Sequence, residues 1–259
     1  IDTVNNAVSK TYINEKAGFV GFGTMDNINV GKIMRFSLDL GKNFSLSSIR
    51  FDCLDENNLD MIKESGIKTV TLGIETGSER LKKMLNKDIS NENIITSIGN
   101  IVKRGIIGIK LYFMFGLPYE EKSDLDDTIK LVKKILREFI FASKLNKRIG
   151  KLTVSFSPFV PKAWTPMQWE NFEDLRILRK KALYLTNGLR NLPNIHLNIN
   201  SLNAAFTEAF FARGSRLATD ILIYAFINKT TIKKAAEKKG YNIEGFIRKI
   251  DTDELLPWD

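Results

Sequence analysis

The sequence predicts an α/β fold: a partial, open TIM-like β/α barrel of mostly parallel strands with a helical C-terminal region. Short apolar runs alternate about five times with longer segments in which apolar residues recur every three or four positions. This alternation is typical of parallel strands joined by helical crossovers. The strands are too few for a closed eight-stranded barrel, so we expect the sheet to be open.

Six runs are predicted to form strands. The most apolar lies at residues 110–118, Lys-Leu-Tyr-Phe-Met-Phe-Gly-Leu-Pro, and its composition predicts a strand buried on both faces. The run at residues 195–199 alternates in polarity and is expected to be more exposed. The other four lie at residues 17–23, 47–52, 67–74 and 152–157.

The connecting segments are predicted to be helices. Residues 2–12 predict a short amphipathic helix, and the helix that starts near Asp26 should bury Ile33, Phe36 and Leu40. Several helix starts are predicted from capping residues, which are Asp26, Ser90, Ser123 with Asp126, and Asn171 with Asp174.

Residues 1–200 are predicted to form the barrel core and residues 201–259 a helical extension. The chain has one cysteine, Cys53, and one histidine, His196, so it has no internal disulfide and offers no histidine-rich zinc site. A single cysteine is typical of reducing compartments. No run approaches the ~20 apolar residues that cross a bilayer. We therefore expect a cytoplasmic protein that does not enter a membrane.

The net charge of +9 could favour RNA or another anionic partner. However, the basic residues are spread along the predicted helices, which favours ordinary solvated faces. The basic pairs and triplets at residues 133–134 and 179–181 are interpreted in this way. RNA therefore stays an open partner without further support in the sequence.

Polar and turn-forming residues gather where the predicted strands end. They are Arg50 with Asp52, Glu75 with Thr76 and Gly77, Gly116 with Pro118, and residues 157–162. Because the carboxyl ends of parallel strands share one edge, they predict a site for a polar ligand with hydroxyl groups. Structural alternatives remain open: an ion pair for Arg50 and Asp52, a helix-terminus charge for Glu75, and a plain turn at Gly116.

Four motifs also follow one another in a specific order. They are Ser-Ile-Arg-Phe-Asp at 48–52, Gly-Ile-Glu-Thr-Gly-Ser-Glu-Arg-Leu at 73–81 followed by Asn86-Lys87, Phe-Met-Phe-Gly-Leu-Pro at 113–118 followed by two glutamates, and Ser-Pro-Phe-Val-Pro-Lys at 157–162. This order resembles the radical S-adenosylmethionine (radical SAM) superfamily beyond its cysteine loop. Ala-Arg-Gly at 212–214 and Leu-Pro-Trp-Asp at 256–259 are similar to an uncharacterised bacterial group that adds a cobalamin-binding-like N-terminal domain. The resemblance covers nearly the whole chain.

The resemblance implies a role for each matching position. Glu75, with Thr76 in the same motif, would bind the ribose of SAM, Lys87 would face the methionine carboxylate, and Arg50 would line the same pocket. The adenine would lie against two short segments, which are Phe115, Gly116, Leu117 and Pro118, and Ser157, Pro158 and Phe159.

The resemblance also implies a [4Fe–4S] cluster, held by a C-x-x-x-C-x-x-C loop and reduced by an external electron donor. Such a cluster cleaves SAM to methionine and a 5′-deoxyadenosyl radical. Cys53 alone cannot hold it, because these clusters take three or four thiolates. We therefore expect the cluster ligands upstream of residue 1 in a longer protein, and an inactive chain without them. The similarity to this bacterial group also implies a possible cobalamin cofactor in the full-length protein. The fold does not determine the substrate.

Two other functions fit the sequence. The first is a non-catalytic, degenerate relative that acts as an RNA- or protein-binding module. The second is a metal-independent barrel enzyme with Lys110 or Lys87 as a Schiff-base nucleophile. Lys110 begins its predicted strand, at the edge opposite the polar residues, which disfavours the second alternative.

Overall fold

The computed structural model describes residues 16–19, 29–256 and 258. Its strands are β1 Lys16–Phe19, β2 Asn43–Leu46, β3 Thr69–Glu75, β4 Gly108–Phe115, β5 Lys151–Pro158 and β6 Ile195–Ile199. Its α-helices are α1 Val30–Asp39, α2 Glu56–Glu64, α3 Glu79–Met84, α4 Asn91–Lys103, α5 Lys122–Leu145, α6 Leu175–Leu189, α7 Leu202–Arg213, α8 Leu217–Ile227, α9 Ile232–Lys238 and α10 Glu244–Ile247. The helix predicted at residues 2–12 and the predicted cap Asp26 lie outside the described residues.

The strands follow the chain order across each sheet. β1 pairs with β2 in parallel, and the second sheet has the order β3-β4-β5-β6, with β3 and β4 parallel. A single parallel bridge joins Ile49 to Leu72 of β3. Sequential order with a helix in each crossover is the winding of a β/α barrel, whereas a doubly wound sheet reverses its order. The predicted open barrel-like α/β fold is therefore confirmed.

The prediction that residues 110–118 are buried on both faces is wrong. In β4, Ile109, Leu111, Phe113 and Phe115 are buried, while Tyr112 between them is 41% exposed. The side chains of a strand point to alternate faces, and in this chain only one face of β4 is covered.

The strand predicted at residues 47–52 is also wrong. The strand β2 ends at Leu46, Ile49 forms one isolated bridge, and Phe51–Cys53 is a 3-10 helix. The expectation that Arg50 and Asp52 point the same way assumed an extended strand, whereas the chain turns at Phe51. The side chain of Asp52 lies outside the described part of the chain.

Helix caps were predicted with mixed success. Ser90 accepts a hydrogen bond from Asn93 N at 3.1 Å, and Asp174 accepts one from Arg176 N at 2.7 Å, so both caps are confirmed. Ser123 lies inside the first turn of α5, which begins one residue earlier. On α1 the buried residues are Met34 and Ser37, whereas Leu40 is 41% exposed, so the predicted buried face is rotated.

The chain forms two compact units. The first comprises the described residues up to Phe113, Ser123–Ser155 and Gly188–Asn198, and its core includes apolar residues of β3, β4 and α4. The second comprises Met114–Lys122, Phe156–Asn187 and the described residues from Ile199 onward. Its C-terminal helices enclose a core of their own around Phe210, Ile221 and Ile243. None of the described helices is long and apolar enough to span a membrane.

Candidate functional site

Glu75 ends β3 in an unusual backbone conformation. Its φ is +70°, in the left-handed region that residues with a side chain seldom adopt. The pairing register shifts between Gly73 and Glu75, which redirects the chain at this point. The carboxylate lies 3.2 Å from the Lys87 ammonium, with exposed fractions of 23% and 40% for the two side chains. The structure thus brings together two residues that the sequence assigned to one ligand.

The turn after Glu75 is fixed to the start of α5. Gly77 N donates to Thr128 Oγ1 at 2.9 Å, and a methyl group on Gly77 would overlap the Thr128 backbone. Ser78 caps α3 and donates to Asp124 Oδ1 at 2.6 Å, and Arg80 also pairs with Asp124. These contacts hold the strained turn in a single conformation, which is the setting in which such strain persists.

Thr76 belongs to the same turn. Its side chain is 1% exposed, and its hydroxyl accepts from Ser78 N at 3.2 Å. The side chain therefore shapes the turn, and its contact with a ligand stays a prediction.

A buried lysine supports the loop that carries Lys87. Lys82 is 1% exposed, and its ammonium donates to Asn91 Oδ1, to Ile89 O at 3.2 Å and to Glu79 Oε1 at 3.4 Å. Asn91 in turn donates to Gly77 O at 2.9 Å. Burial lowers the pKa of Lys82, and its pairing with Glu79 offsets this only in part. The network links both ends of the Glu75–Lys87 segment.

Arg50 lies in extended backbone just before the 3-10 helix, and its side chain is exposed. Its carbonyl accepts from Cys53 N at 3.2 Å, which closes that short helix. The role of Arg50 at the same ligand stays a prediction.

In the second unit, the turn after β4 is built around a glycine. Gly116 has φ +73°, and a side chain there would meet Leu178 of α6. Gly116 N donates to Glu120 Oε2 at 2.8 Å, and Glu120 N donates to Leu117 O at 3.1 Å. Phe115, Gly116 and Leu117 are all buried, so these contacts lie inside the unit.

Glu120 is held by a largely buried cation from the basic triplet at residues 179–181. The Lys181 ammonium lies 2.9 Å from Glu120 Oε2 and 3.0 Å from Glu173 Oε2, and the Lys181 and Glu120 side chains are 13% and 2% exposed. Burial alone would lower the pKa of Lys181, but the two carboxylates outweigh it and raise the pKa. The prediction of a solvated face at residues 179–181 is therefore wrong for Lys181. The only sequence signal was a glutamate four residues after the glycine.

The segment after β5 lies next to this turn. Phe159 N donates to Phe115 O at 2.8 Å, which joins the two segments predicted to contact adenine. A cavity of about 410 Å³ is lined by Ser157, Pro158, Met114 and Asn200 among others. Asn200 donates to Ser157 Oγ at 2.8 Å, and an ion pair between Lys162 and Glu208 lies on the cavity wall. This volume is within the range of small-molecule sites.

The residues present do not fit an iron–sulfur cluster. The 259 residues include one cysteine, and the part of the chain that the structure describes has no group of three or more metal-ligating side chains. A [4Fe–4S] cluster takes three or four thiolates, which these residues do not supply.

Known proteins resemble parts of this chain. Residues 19–132 match the family model of the radical SAM superfamily. An uncharacterized protein of Methanocaldococcus jannaschii is 32% identical over 207 residues, covering 80% of this chain and 43% of that protein. A tRNA-2-methylthio-N(6)-dimethylallyladenosine synthase of Ehrlichia canis is 28% identical over 123 residues, covering 47% of this chain and 26% of the enzyme. The chain thus spans less than half the length of these relatives.

Among solved structures, Streptococcus suis SuiB bound to S-adenosylmethionine aligns with 74% of this chain and 40% of its own. The TM-score is 0.47 and the sequence identity 12%, a partial likeness.

Proposed function

We propose that this chain, in which residues 19–132 match the radical SAM family model, is the SAM-binding part of a radical SAM enzyme. In this family SAM and a [4Fe–4S] cluster supply the radical chemistry. The work assigned to the residues of this chain is to bind and orient SAM. The substrate, the electron donor and a cytoplasmic location belong to the same proposal and are properties of the whole protein.

The observation that carries the proposal is the Glu75–Lys87 pair. Glu75 holds a strained backbone angle of +70° on a turn fixed by Gly77 and Ser78. A rigid carboxylate accepts hydrogen bonds from a ribose diol, and an ammonium pairs with the methionine carboxylate. Both side chains are partly exposed, so they keep capacity for a polar ligand beside their mutual contact. Arg50 and the Thr76 turn complete this proposed set.

The second unit is proposed to bind the adenine. The backbone at Phe115, Gly116, Leu117 and Pro118 forms a glycine turn, and Phe159 bonds to Phe115. Ser157 and Pro158 line the cavity of about 410 Å³. The apolar wall that Pro158 and Met114 give this cavity suits the face of an adenine.

SAM binding by the anaerobically reconstituted full-length protein tests this proposal. Glu75→Gln keeps the shape of the side chain but loses its charge, so we expect SAM affinity to fall about tenfold, the effect of losing one charge-assisted hydrogen bond. Glu92→Gln is the matched control, because Glu92 is exposed on α4. If wild type and Glu75→Gln bind SAM with equal affinity, Glu75 does not contact SAM.

The missing cluster ligands are proposed to precede residue 1. We expect a C-x-x-x-C-x-x-C segment upstream in the same open reading frame. Because residues 1–259 lack this segment, the chain alone is expected to be inactive. If the upstream reading frame lacks three such cysteines, the catalytic proposal fails. Cobalamin has no support in the residues of this chain and is left out of the proposal.

A binding module for RNA is the second candidate. It is favoured by the net charge of +9 and by the tRNA-modifying name of the Ehrlichia relative. If the chain binds RNA electrostatically, the logarithm of its affinity for an unmodified tRNA should fall linearly with the logarithm of the salt concentration. Salt-independent or undetectable binding would dismiss this candidate.

A further inference from the structure

Lys82 of α3 is a buried cation whose hydrogen bonds are all made inside the protein. Its side chain is 1% exposed, and the ammonium donates to Glu79 Oε1 at 3.4 Å, to Ile89 O at 3.2 Å and to Asn91 Oδ1. An ammonium has three N–H donors, and these three acceptors use all of them. Lys82 therefore has no donor left for a ligand and can act on a site only through the residues that it holds.

The loop between α3 and α4 is fastened to Lys82 at Lys87 and again just beyond it. Lys87 N donates to Lys82 O at 2.9 Å, directly after Asn86, which has a left-handed φ of +53°. The Lys82 ammonium holds Ile89 O, which lies two residues after Lys87. Both ends of this short stretch are thus hydrogen bonded to the same buried residue, and the backbone of Lys87 is fixed between them.

Asn91 connects the same loop to the turn that follows Glu75. Its side-chain oxygen accepts from the Lys82 ammonium, and its Nδ2 donates to Gly77 O at 2.9 Å. The Glu75 carboxylate lies 3.2 Å from the Lys87 ammonium. The relative placement of these two charged side chains therefore depends on a hydrogen-bond network that has Lys82 at its centre.

Packing alone does not favour a lysine at position 82. Burial of an ammonium is costly, and a buried charged group is often no more stabilising than an apolar side chain of the same volume. Burial lowers the pKa of Lys82, and pairing with Glu79 offsets this only in part. An apolar side chain would fill the space but could not hold the Ile89 carbonyl and the Asn91 amide, which is what the ammonium does.

We infer that Lys82 is a positioning residue, which holds the loop so that the Lys87 ammonium meets the methionine carboxylate of SAM. Lys82 thereby sets the preference of the site for SAM over adenosine compounds that lack this carboxylate. The inference rests on the proposed function, which assigns the carboxylate to Lys87. The Lys87 side chain is 40% exposed and accessible to a ligand, whereas that of Lys82 is buried.

A comparison of two ligands on the anaerobically reconstituted full-length protein tests this role. Decarboxylated SAM keeps the adenosine, sulfonium and amino groups of SAM and lacks only the carboxylate. Lys82→Met keeps the bulk of the side chain without its donors, so its affinity for SAM should fall about tenfold, as for one lost charge-assisted hydrogen bond. Its affinity for decarboxylated SAM should equal that of wild type. Lys83→Met is the matched control, because Lys83 is exposed on the same helix, and it should bind both ligands as wild type does.

Lys87→Met separates a failure of this inference from a failure of the proposed function. If Lys87→Met loses affinity for SAM and Lys82→Met does not, the positioning role is wrong and the proposed function stands. If neither variant loses affinity, the assignment of the carboxylate to Lys87 is wrong and the positioning role falls with it. Because Lys82 acts through Lys87, the double variant should bind SAM no more weakly than Lys87→Met alone. Additive losses would overturn the inference.

An equal loss of affinity for both ligands in a folded Lys82→Met protein would make Lys82 a support of the whole site and would also overturn the inference. Asn91→Leu is a second variant, which removes the amide that accepts from Lys82 and donates to Gly77. It should show the same selective loss for SAM. If Lys82→Met does not fold, Asn91→Leu decides the question, and an unchanged preference for SAM in that variant would overturn the role of Lys82.

Discussion

Glu75 shows how a single residue joins strain to chemistry. A left-handed conformation costs a residue with a Cβ atom about 1–2 kcal/mol, yet the chain places a charged side chain there, where glycine would be the natural choice. The contacts of Gly77 and Ser78 hold this conformation. Strain of this kind gathers at ligand sites, which is why Glu75 is the residue on which the SAM proposal depends.

Two substitutions of Glu75 separate the backbone strain from the carboxylate. Both Glu75→Ala and Glu75→Gly should lose SAM affinity, since neither has a carboxylate. The free energy of unfolding of Glu75→Gly should exceed that of Glu75→Ala by about 1 kcal/mol, because only glycine relieves the strain at φ +70°. Urea denaturation and SAM titration measure the two effects, and equal stability of the variants would argue against strain at this position.

At the level of elements, the turn that follows β4 depends on ionic contacts from α6. Glu120 accepts from Gly116 N, and Lys181 pairs with Glu120 and Glu173. Glu120 is almost fully buried, so its charge relies on Lys181. A buried ion pair adds little stability beyond an apolar replacement, but removing one partner is costly.

Lys181→Met should therefore destabilise the protein by about 3 kcal/mol, because it leaves a buried carboxylate without its cation. Lys180→Met is the matched control, since Lys180 is exposed on the same helix, and it should change the stability by less than about 0.5 kcal/mol. Urea denaturation measures both.

The alkaline pH dependence of this difference follows from the raised pKa of Lys181. A raised pKa stabilises the folded state fully below the ordinary value of 10.5 and loses that contribution as pH rises through the folded value. The wild-type advantage over Lys181→Met should shrink only above pH 10.5. A difference that shrinks below that pH would contradict the ion-pair explanation.

The C-terminal segment has an ion pair of its own. Arg248 donates to both carboxylate oxygens of Glu254, and the Glu254 carboxylate also accepts from Asp251 N at 3.1 Å. The hydrogen bond from Arg248 is the largest of the causes that lower the pKa of Glu254 to about 2.

Acid titration tests this segment. A lowered pKa gives stability that is present above the ordinary value of 4.5 and lost as pH falls towards about 2. The difference in unfolding free energy between wild type and Glu254→Gln should therefore be constant above pH 4.5 and vanish towards pH 2. Both partners are exposed, so the difference should be small and should decrease with salt. A difference that grows in acid would contradict this assignment.

At the scale of the whole molecule, the proposal is that the chain supplies one part of a radical SAM enzyme. It covers 43% of the Methanocaldococcus relative and has a single cysteine. Reconstitution with iron and sulfide should leave the chain of 259 residues without a [4Fe–4S] absorption band, while the full-length protein acquires one. Substitution of Cys53 by Ala in the full-length protein should leave the cluster content unchanged. A cluster lost with Cys53 would show that this residue is a ligand.

Local patterns in the sequence determined most of the elements. The alternation of strands and helices, the caps at Ser90 and Asp174, and the turn at Gly116 depend on residues near in sequence, so their prediction succeeded. The motif at residues 73–81 with Lys87 assigned Glu75 and Lys87 to one ligand, and the two side chains lie 3.2 Å apart in the fold.

Tertiary structure alone decided which side chains are covered and which charges are paired. Tyr112 is exposed although it lies in the most apolar run, and Lys181 is buried although it lies in a basic triplet. Burial and pairing are set by elements that are distant in sequence: Lys181 meets Glu120 across 61 positions, the difference between their residue numbers. A pattern of hydrophobicity fixes the period of an element, but the neighbours that cover each face and neutralise each charge exist only once the chain has folded.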